Sequence, residues 1–526
     1  MIHRRIAATP EGVVQAASEP ITTGFADPGG PRIVGEEIRW GSVSDVAEEV
    51  ERFADVSADG DGTDLALRAV IDFRMPYFRW LFRPLVGRAV RRTLTYMADV
   101  IEARATGRPE PPVPRRPVWA PADPTDSPRV ASIATVCAAL VVAGYCGGLF
   151  TQTLPYVREA FDASKADMGV ALAVTRAGVL VGLIGATLAD RRGRRRIILA
   201  SLIGVCLSST LSGLTPNLAT FSLMQVFVRG FVQLAGIVGY IIVMEEAPEG
   251  SRAFMLAVAG MASGAGFAVG AGLLPLADVN GNAWRLMFLA AGLGLLLIPG
   301  IARRLPESGR YVALSARAAT GRVRELVDPI YGGRFFVAAA IGFLLGFFGS
   351  PSLQWTNDYL SDVRGYSGAG ITLLRGVTQG FPALLAIVAG GRLAESSGRL
   401  VVASRATLAL GVMTLVFFLT GGPILWMAML LATIAGAMSG PALTAFNTEL
   451  FPTEVRGRAG AVLLAVSVVG AAAGLLLVGY LADPLGDVGK AVAITCIAPI
   501  IVAVVLIPRL PEARGRALDE ISPPEV

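Results

Sequence analysis

The sequence has few of the residues from which metal centres and catalytic sites are built. Its one histidine is His3, and its four cysteines do not have the spacing of metal ligands. It contains no Gly-Lys-Ser/Thr phosphate-binding loop, which argues against an ATP-driven pump. It also shows no nucleophile–base pair. We therefore expect no metal, no cofactor and no enzyme activity.

Lysine is also scarce, so the formal net charge of +5 is carried almost wholly by arginine; the only lysines are Lys165 and Lys490. Charged residues make up 17% of the chain and hydrophobic residues 53%, and the mean hydropathy is +0.59. Most of the arginines lie in short loops between apolar blocks, which argues against nucleic-acid binding. The blocks reach the roughly 20 residues that cross a bilayer. The composition therefore indicates a polytopic membrane protein.

We predict twelve transmembrane helices and number them as spans 1 to 12. The N-terminal hundred residues are polar, so no signal peptide is expected and span 1 itself directs insertion. The predicted spans are 130–151, 168–190, 195–215, 219–243, 254–276, 284–304, 335–356, 368–393, 400–420, 423–446, 459–482 and 488–508.

The segments outside the spans complete the predicted domain organisation. Residues 1–106 are predicted to form a small soluble α+β domain, with strand-like stretches at 32–40, 45–56 and 63–73 and a helix over 77–105. The remaining segments are a proline-rich linker (107–128), an N-terminal six-helix half (129–304), a linker between the halves (305–334), a C-terminal six-helix half (335–508) and a tail (509–526).

The start of the predicted helix 77–105 alternates aromatic and basic residues. This pattern suits the headgroup layer of an anionic membrane. Alternatively, the helix packs its apolar face on the strands, and the sequence leaves both interpretations open. The residues concerned are Tyr77, Phe78, Arg79, Trp80, Phe82 and Arg83.

The arginine distribution predicts the orientation of the spans. With the N-terminus inside, the inner loops carry 17 Lys/Arg and the outer loops carry five. Basic residues are retained on the cytoplasmic side. We therefore expect a multi-pass protein of the plasma (inner) membrane with both termini in the cytoplasm.

Three sequence motifs recur at one spacing. Asp190 and Glu395, each followed by a glycine and an arginine, lie 205 residues apart. Arg252 and Arg456, each preceded by Glu and Pro, lie 204 residues apart, and a Leu-Pro-Glu sequence recurs after spans 6 and 12. Such repetition predicts two pseudo-symmetric six-helix halves.

These motifs resemble those of the major facilitator superfamily, and their Glu…Pro…Arg pairs resemble its sugar-porter and related metabolite-transporter branch. The resemblance implies that charged residues at the cytoplasmic helix ends form gates that hold the halves together or release them. The implied gate and motif residues are Asp190, Arg191, Gly193, Arg194, Glu245, Glu246, Arg252, Glu395, Gly398, Arg399, Glu449 and Arg456.

The resemblance also implies a substrate site between the halves, in the middle of the membrane. Ionisable residues inside spans are functional candidates because burying them is costly. Three embedded arginines without embedded acids favour an organic anion, and a sugar-like metabolite stays open, although the span-7 double glutamine of sugar porters is absent. The candidates are Tyr145, Arg176, Arg229, Gln233, Gln354, Trp355, Asn357, Arg375 and Asn447.

The sequence thus predicts a secondary transporter of a small organic solute that works by alternating access, as a monomer in the lipid bilayer. The proton is a candidate coupling ion, and Asp358 and the glutamates at the cytoplasmic helix ends are its candidate carriers. Two alternatives remain: a membrane-anchored ligand sensor with a degenerate transporter domain, and a multidrug-type exporter.

Overall fold

A computed structural model describes residues 1–23, 31–34, 37–45, 48–59, 62–73, 75–115, 117, 120, 127–182, 185, 193–248, 251–305, 332–449 and 453–510. The chain forms two compact units. One comprises Met1–Leu140, Ile237–Ser263 and Pro299–Arg310, and the other comprises Val141–Gly236, Gly264–Ile298 and Tyr311–Val526.

The N-terminal part of the first unit contains an antiparallel sheet of five strands in the order β1-β5-β4-β3-β2. The first strand therefore lies at one edge and pairs with the last. Apolar residues of β1, β3, β4 and β5, among them Ile6, Ile38, Val50 and Leu65, place one face of the sheet against a core. The strands are β1 (Ile2–Ile6), β2 (Pro31–Val34), β3 (Glu37–Asp45), β4 (Glu48–Asp59) and β5 (Gly62–Phe73).

Two helices accompany this sheet, α1 (Pro10–Ala17) and the long α2 (Arg79–Ala105). Buried residues of the strands and of both helices form one hydrophobic cluster. Arg4 on β1 donates hydrogen bonds to Asp99 and Glu102 of α2, and the Arg4 Nε–Glu102 Oε2 distance is 2.9 Å. The charged end of the strand is therefore also tied to the helix.

The rest of the described chain is mostly helical. Eleven of its helices are long and apolar enough to cross a membrane, and they coincide with predicted spans 1 and 3 to 12. The helices are α3 (Ser127–Gln152), α4 (Leu154–Ala160), α5 (Lys165–Thr175), α6 (Arg194–Ser212), α7 (Leu218–Glu246), α8 (Arg252–Leu273), α9 (Trp284–Ala290), α10 (Ile298–Arg304), α11 (Gly332–Gln354), α12 (Thr356–Asp358), α13 (Gly368–Arg375), α14 (Phe381–Ser397), α15 (Arg399–Leu419), α16 (Gly422–Glu449), α17 (Thr453–Ala482), α18 (Val488–Thr495) and α19 (Ile497–Ile501).

Predicted span 2 (168–190) begins within α5, but much of its second half lies outside the described residues. Several spans change helix type along their length. Ala291–Leu297 is 3₁₀ helix, and Tyr359–Val363, Gly376–Gly380 and Val502–Leu506 are π-helix. Such interruptions are frequent at functional sites.

Glycine allows two pairs of spans to pack backbone against backbone. A Cβ on Gly266 of span 5 would strike the Val141 carbonyl oxygen of span 1. A Cβ on Gly470 of span 11 would likewise strike the Phe343 carbonyl oxygen of span 7. Only a residue without a side chain permits this approach. The close contact therefore recurs at corresponding places in the two predicted halves.

Candidate substrate site and gates

Two of the embedded arginines meet at one amide. Gln354 lies at the end of α11. Both atoms of its side-chain amide find hydrogen-bond partners when the oxygen faces Arg176 and Arg229. That oxygen accepts from Arg176 Nη2 at 2.9 Å and from Arg229 Nη2 at 3.2 Å, while the amide nitrogen donates to Thr151 Oγ1. The sequence predicted all three of these residues as substrate ligands without indicating that they touch.

Small residues bring the two arginines together. Arg176 is the C-cap of α5, and Arg229 lies in the middle of α7. A Cβ on Gly178 would strike the Val226 carbonyl oxygen and would lie 2.9 Å from Arg229 Cβ, so spans 2 and 4 touch through their backbones here. Gly230, next to Arg229, faces the Gly178 carbonyl oxygen across the same contact. The glycines thus let the backbones that carry the two arginines approach closely.

The arginine pair has hydrogen bonds but no counter-charge among the described residues. Neither Arg176 nor Arg229 forms an ion pair with a carboxylate in this part of the chain. Both side chains are half-buried rather than sealed. Two adjacent positive charges inside a membrane protein repel each other and are costly to bury, whereas an anion placed against them is stabilised by both. The geometry therefore suits a carboxylate or a similar anionic group.

The third embedded arginine is more deeply enclosed. Arg375 ends α13, is only 4% exposed, and has no hydrogen-bond partner for any of its three guanidinium nitrogens within the described chain. The π-helical segment Gly376–Gly380 follows it directly. A buried, unpaired guanidinium needs an anion or a polar group in some state of the protein. Arg375 thus remains a candidate ligand.

The other predicted substrate residues have different surroundings. The Tyr145 hydroxyl donates to the Met287 carbonyl oxygen at 2.7 Å and so ties span 1 to span 6. Gln233 is half-buried and lies one turn beyond Arg229. A Cβ on Gly182 would lie 2.8 Å from the Cβ of Gln233. Trp355 is fully buried within an apolar cluster. The side chain of Asn447 lies outside the described residues.

Asn357 belongs to a set of contacts that closes one end of the helix bundle. Its Nδ2 donates to the Gln152 carbonyl oxygen at 2.8 Å and to Gln152 Oε1 at 3.1 Å. Gln152 and Asn357 lie 205 residues apart, the spacing of the sequence repeat, so equivalent positions of the two halves bond to each other. Both residues are fully buried. This end, opposite the Asp190 loop in the predicted topology, is closed by polar contacts.

An ionic cluster lies at the same end. Arg158 Nε is 3.0 Å from Asp358 Oδ1, and Arg158 Nη2 is 3.3 Å from Asp362 Oδ1. Lys165 Nζ is 3.0 Å from Asp362 Oδ2. Asp358 is fully buried, whereas the Asp362 side chain is 37% exposed. Both bases come from the predicted loop after span 1 and both acids from the end of span 7, so the ion pairs cross between the predicted halves.

Backbone contacts extend this closure. Asp278 Oδ1, after span 5, accepts from Tyr156 Oη at 2.6 Å and from the Gly368 amide at the start of span 8 at 3.2 Å. Gly169 of span 2 and Gly479 of span 11 lie so close that a Cβ on either would be 2.8 Å from the other's Cα. We call these contacts, together with Thr151–Gln354, Gln152–Asn357 and the ionic cluster, the closed end.

The predicted motif residues at the opposite end are only partly described. Gly193 and Gly398 precede α6 and α15 with nearly identical backbone angles, φ 94° and ψ 139° against φ 98° and ψ 139°. This left-handed conformation favours glycine. Arg194 and Arg399 are the first residues of those two helices. The repeat detected in the sequence thus corresponds to a repeated backbone turn.

The remaining motif residues lie at helix ends. Glu245 and Glu246 end α7, Arg252 begins α8, Glu449 ends α16, and Arg456 lies in the first turn of α17. Asp190 and Arg191 lie outside the described residues, as do the side chains of Glu395, Arg399, Glu449 and Arg456. Their ionic gate therefore stays a prediction.

The sequence marks Asp358 as a candidate proton carrier but indicates no role for Arg158, Lys165 or Asp362. Arg158 and Lys165 were counted only as loop charges. Asp358 and Asp362 are four residues apart, so they lie on the same side of a helix. That spacing next to two basic loop residues was the available signal, but nothing in the sequence shows which acid meets which base.

Comparison with known proteins agrees with this architecture. The profile of the Major Facilitator Superfamily matches residues 136–389 and 375–524. A cis,cis-muconate transport protein of Acinetobacter baylyi is 25% identical over 371 residues, which cover 67% of this chain and 87% of that protein.

Solved transporters share the fold at low identity. The inward-open xylose transporter XylE from E. coli has a TM-score of 0.63 and 17% identity, covering 75% of this chain and 99% of its own. A mutant of the nucleoside transporter NupG has a TM-score of 0.60 and 12% identity, covering 71% and 98%. Because the profile match extends over most of the membrane region, the chain belongs to the major facilitator superfamily.

Proposed function

We propose that this protein is an ATP-independent secondary transporter of a small organic anion. The observation that carries the proposal is the pair Arg176 and Arg229, whose guanidinium groups share one amide oxygen and have no carboxylate partner among the described residues. The muconate transport protein supports the same chemistry, because cis,cis-muconate is an organic dianion at neutral pH. A neutral sugar would leave both charges without a counter-ion.

We further propose the architecture in which this transport takes place. Twelve spans form two pseudo-symmetric halves. The described helices account for eleven of these spans, and predicted span 2 is the twelfth. Residues 1–106 form a cytoplasmic domain joined by the linker 107–128, and both termini face the cytoplasm of a plasma membrane. The arginine-rich inner loops and the repeated glycine turns at Gly193 and Gly398 support this arrangement.

In this orientation the closed end faces outward, and the substrate site is reached from the cytoplasm. Gln354 then has two roles, because it bonds to Thr151 at the closed end and to both arginines at the site. An anion that binds the arginines competes with the Gln354 oxygen. Substrate binding would thereby weaken one of the bonds between the halves and favour opening of the outer end. This exchange is our proposed basis of alternating access.

Coupling to a proton fits one residue of the closed end. Asp358 is buried, bonds to Arg158 through one oxygen, and leaves its Oδ2 without a partner within the described residues. Opening of the closed end would separate it from Arg158 and give protons of the outer solution access to it. While the carboxylate stays shielded from bulk water, the loss of its paired positive charge favours the protonated form. We propose Asp358 as the proton carrier.

The anion proposal is tested by binding to the purified protein. Arg229→Gln should weaken the binding of mono- and dicarboxylates by about 30-fold or more, because truncating one partner of a buried charge pair costs about 2–5 kcal/mol. Binding of neutral sugars should change little. The matched control is Gln225→Leu on the same helix, one turn before Arg229, since Gln225 bonds only to Ser212 within the described chain, at 2.9 Å.

Equal losses for anions and neutral solutes in Arg229→Gln would refute the anion assignment. Equal losses in Gln225→Leu would show that the effect comes from helix packing. The sensor alternative makes a different prediction. A transporter lacking residues 1–106 should retain solute flux in vesicles, whereas a sensor would lose its function together with its soluble domain.

A further inference from the structure

The aromatic and basic residues at the start of α2 separate onto two faces. Phe78 and Phe82 pack against the hydrophobic cluster of the sheet and helix, so they serve the core. Trp80 and Leu81 point away from it and are 75% and 45% exposed. The packing interpretation therefore holds for one face of the helix, and the other face is left for the membrane interpretation.

The exposed face continues with positive charge. Residues three, four, seven and eight positions apart share one side of a helix, and exposed arginines lie on the side that carries Trp80 and Leu81. We call this surface the docking face; it consists of Trp80, Leu81, Arg88, Arg91 and Arg92. It combines two large apolar side chains with three guanidinium groups, which is the composition of a helix that lies in a headgroup layer.

The start of α2 is attached to the end of a membrane span. The guanidinium carbon of Arg304 lies 5.3 Å from the centre of the Tyr77 ring, and a Cβ on Gly300 would lie 3.0 Å from Tyr77 Oη. Arg304 is the last residue of the span Trp284–Arg304. Tyr77 therefore lies where that span leaves the hydrocarbon. Trp80 is three residues further on, in the first turn of α2.

A second attachment lies at the same boundary. Val130 and Ala134, at the beginning of span 1, belong to the buried cluster that also contains Val86 and Val90 of α2. In the predicted twelve-span topology, span 1 begins and span 6 ends on the same side of the membrane, because six crossings separate the two points. The domain thus shares its core with one membrane-spanning helix and contacts another, both at one surface of the bilayer.

We propose that the docking face binds anionic phospholipid headgroups of the bilayer in which the protein is embedded. Trp80 and Leu81 would enter the interface, where tryptophan is favoured. Arg88, Arg91 and Arg92 would pair with lipid phosphates and the negative surface potential. The domain is thereby held flat against the membrane beside the inner ends of spans 1 and 6. The inference does not depend on the transport function.

The test uses the full-length protein in nanodiscs of phosphatidylcholine, with or without phosphatidylglycerol. The native cysteines Cys137, Cys146, Cys206 and Cys496 are all buried, so Leu81→Cys can be labelled selectively with a fluorophore. Quenching by lipids that carry a nitroxide on the headgroup reports contact with the interface. We expect strong quenching with phosphatidylglycerol and weak quenching without it.

Charge substitutions make the test specific. Each arginine near an anionic surface contributes about fivefold to binding, so Arg88→Gln should lower the ratio of docked to undocked protein about fivefold. Combined replacement of Arg88, Arg91 and Arg92 should lower it on the order of a hundredfold. The matched control is Arg108→Gln, just beyond the end of α2, where the side chain is 72% exposed; it should leave quenching unchanged.

Three results would overturn the proposal. Quenching of equal strength in both lipid compositions would exclude recognition of anionic headgroups. The absence of quenching in both would show that the docking face does not reach the bilayer and is free for a protein partner. Equal effects of Arg88→Gln and Arg108→Gln would show that the interaction depends only on the net charge of the domain and not on the docking face. Because each readout measures fluorescence rather than flux, a failure here is distinguishable from a failure of the transport proposal.

Discussion

Removal of the buried acid of the closed end should shift the protein toward an outward-open state. Asp358 is fully buried and lies 3.0 Å from Arg158, whose side chain is 23% exposed. Breaking a buried ion pair by neutralising one partner costs about 3–5 kcal/mol, because the other charge is left uncompensated. The remaining bond from Arg158 to Asp362 moderates this loss. At about 3 kcal/mol, Asp358→Asn should change the ratio of open to closed molecules by more than a hundredfold.

Asp362→Asn is the matched control on the same helix. Asp362 binds Arg158 and Lys165 at similar distances, but its side chain is 37% exposed and its ion pairs are screened by water. Such pairs contribute about 0–1 kcal/mol, so the same ratio should change no more than about fivefold. The contrast between the two acids therefore tests burial rather than charge.

The assay measures the separation of the two halves at this end. Spin labels on Glu159→Cys and Asp483→Cys, both exposed at the closed end in different predicted halves, report the distance between the halves by electron paramagnetic resonance. In Asp358→Asn the longer distances should dominate, and in Asp362→Asn they should remain a minority. Replacement of both partners, Arg158→Met with Asp358→Leu, should restore the short distances, because an apolar pair can substitute for a buried ion pair. Unchanged distances in Asp358→Asn, or equal shifts in the two single variants, would refute the reasoning.

Three further substitutions test the site and the predicted gate. Gln354→Glu places a carboxylate between the arginines, where an internal counter-ion competes with the substrate. It should therefore lower anion affinity at least tenfold and raise thermal stability. Unchanged affinity would exclude direct binding at this pair. Gly178→Ala should destabilise the protein by about 1–3 kcal/mol, because the added methyl group overpacks spans 2 and 4. A Cβ on Gly236 would meet no atom within 4 Å, so Gly236→Ala should be neutral or stabilising by up to about 1 kcal/mol. Thermal unfolding in detergent measures both effects. Asp190→Asn should reduce transport roughly tenfold and leave membrane insertion intact, because one charge-assisted hydrogen bond at the predicted gate is lost. Full flux would show that Asp190 has no role in the gate.

The sequence allowed prediction of features that depend on local pattern. Apolar blocks marked the spans, and alternation marked 45–56 and 63–73, which coincide with β4 and β5. The repeat at Gly193 and Gly398 reflected a backbone turn with positive φ, which glycine adopts more readily than any other residue. The stretch 32–40 instead contains parts of two antiparallel strands, β2 and β3. Alternation continues through such a short reversal and does not reveal it.

Features that depend on pairing over long distances could not be predicted. Composition showed that Arg176, Arg229 and Gln354 are polar groups inside spans, but not that two arginines converge on one amide oxygen. Arg158 and Asp358 are 200 residues apart in the chain. Their pairing depends on how distant parts of the chain pack against each other, and no local pattern records that geometry.

The proposed substrate site and the closed end are linked through the side chain of Gln354. Gln354 lies in the predicted C-terminal half, yet its hydrogen bonds go to Thr151, Arg176 and Arg229 in the N-terminal half. Its amide is neutral, so it satisfies the guanidinium groups geometrically without compensating their charge, which leaves an anion free to displace it. An aspartate or glutamate at this position would instead occupy the site permanently. In the proposed mechanism, a neutral bridge is thus what lets substrate binding be converted into separation of the halves.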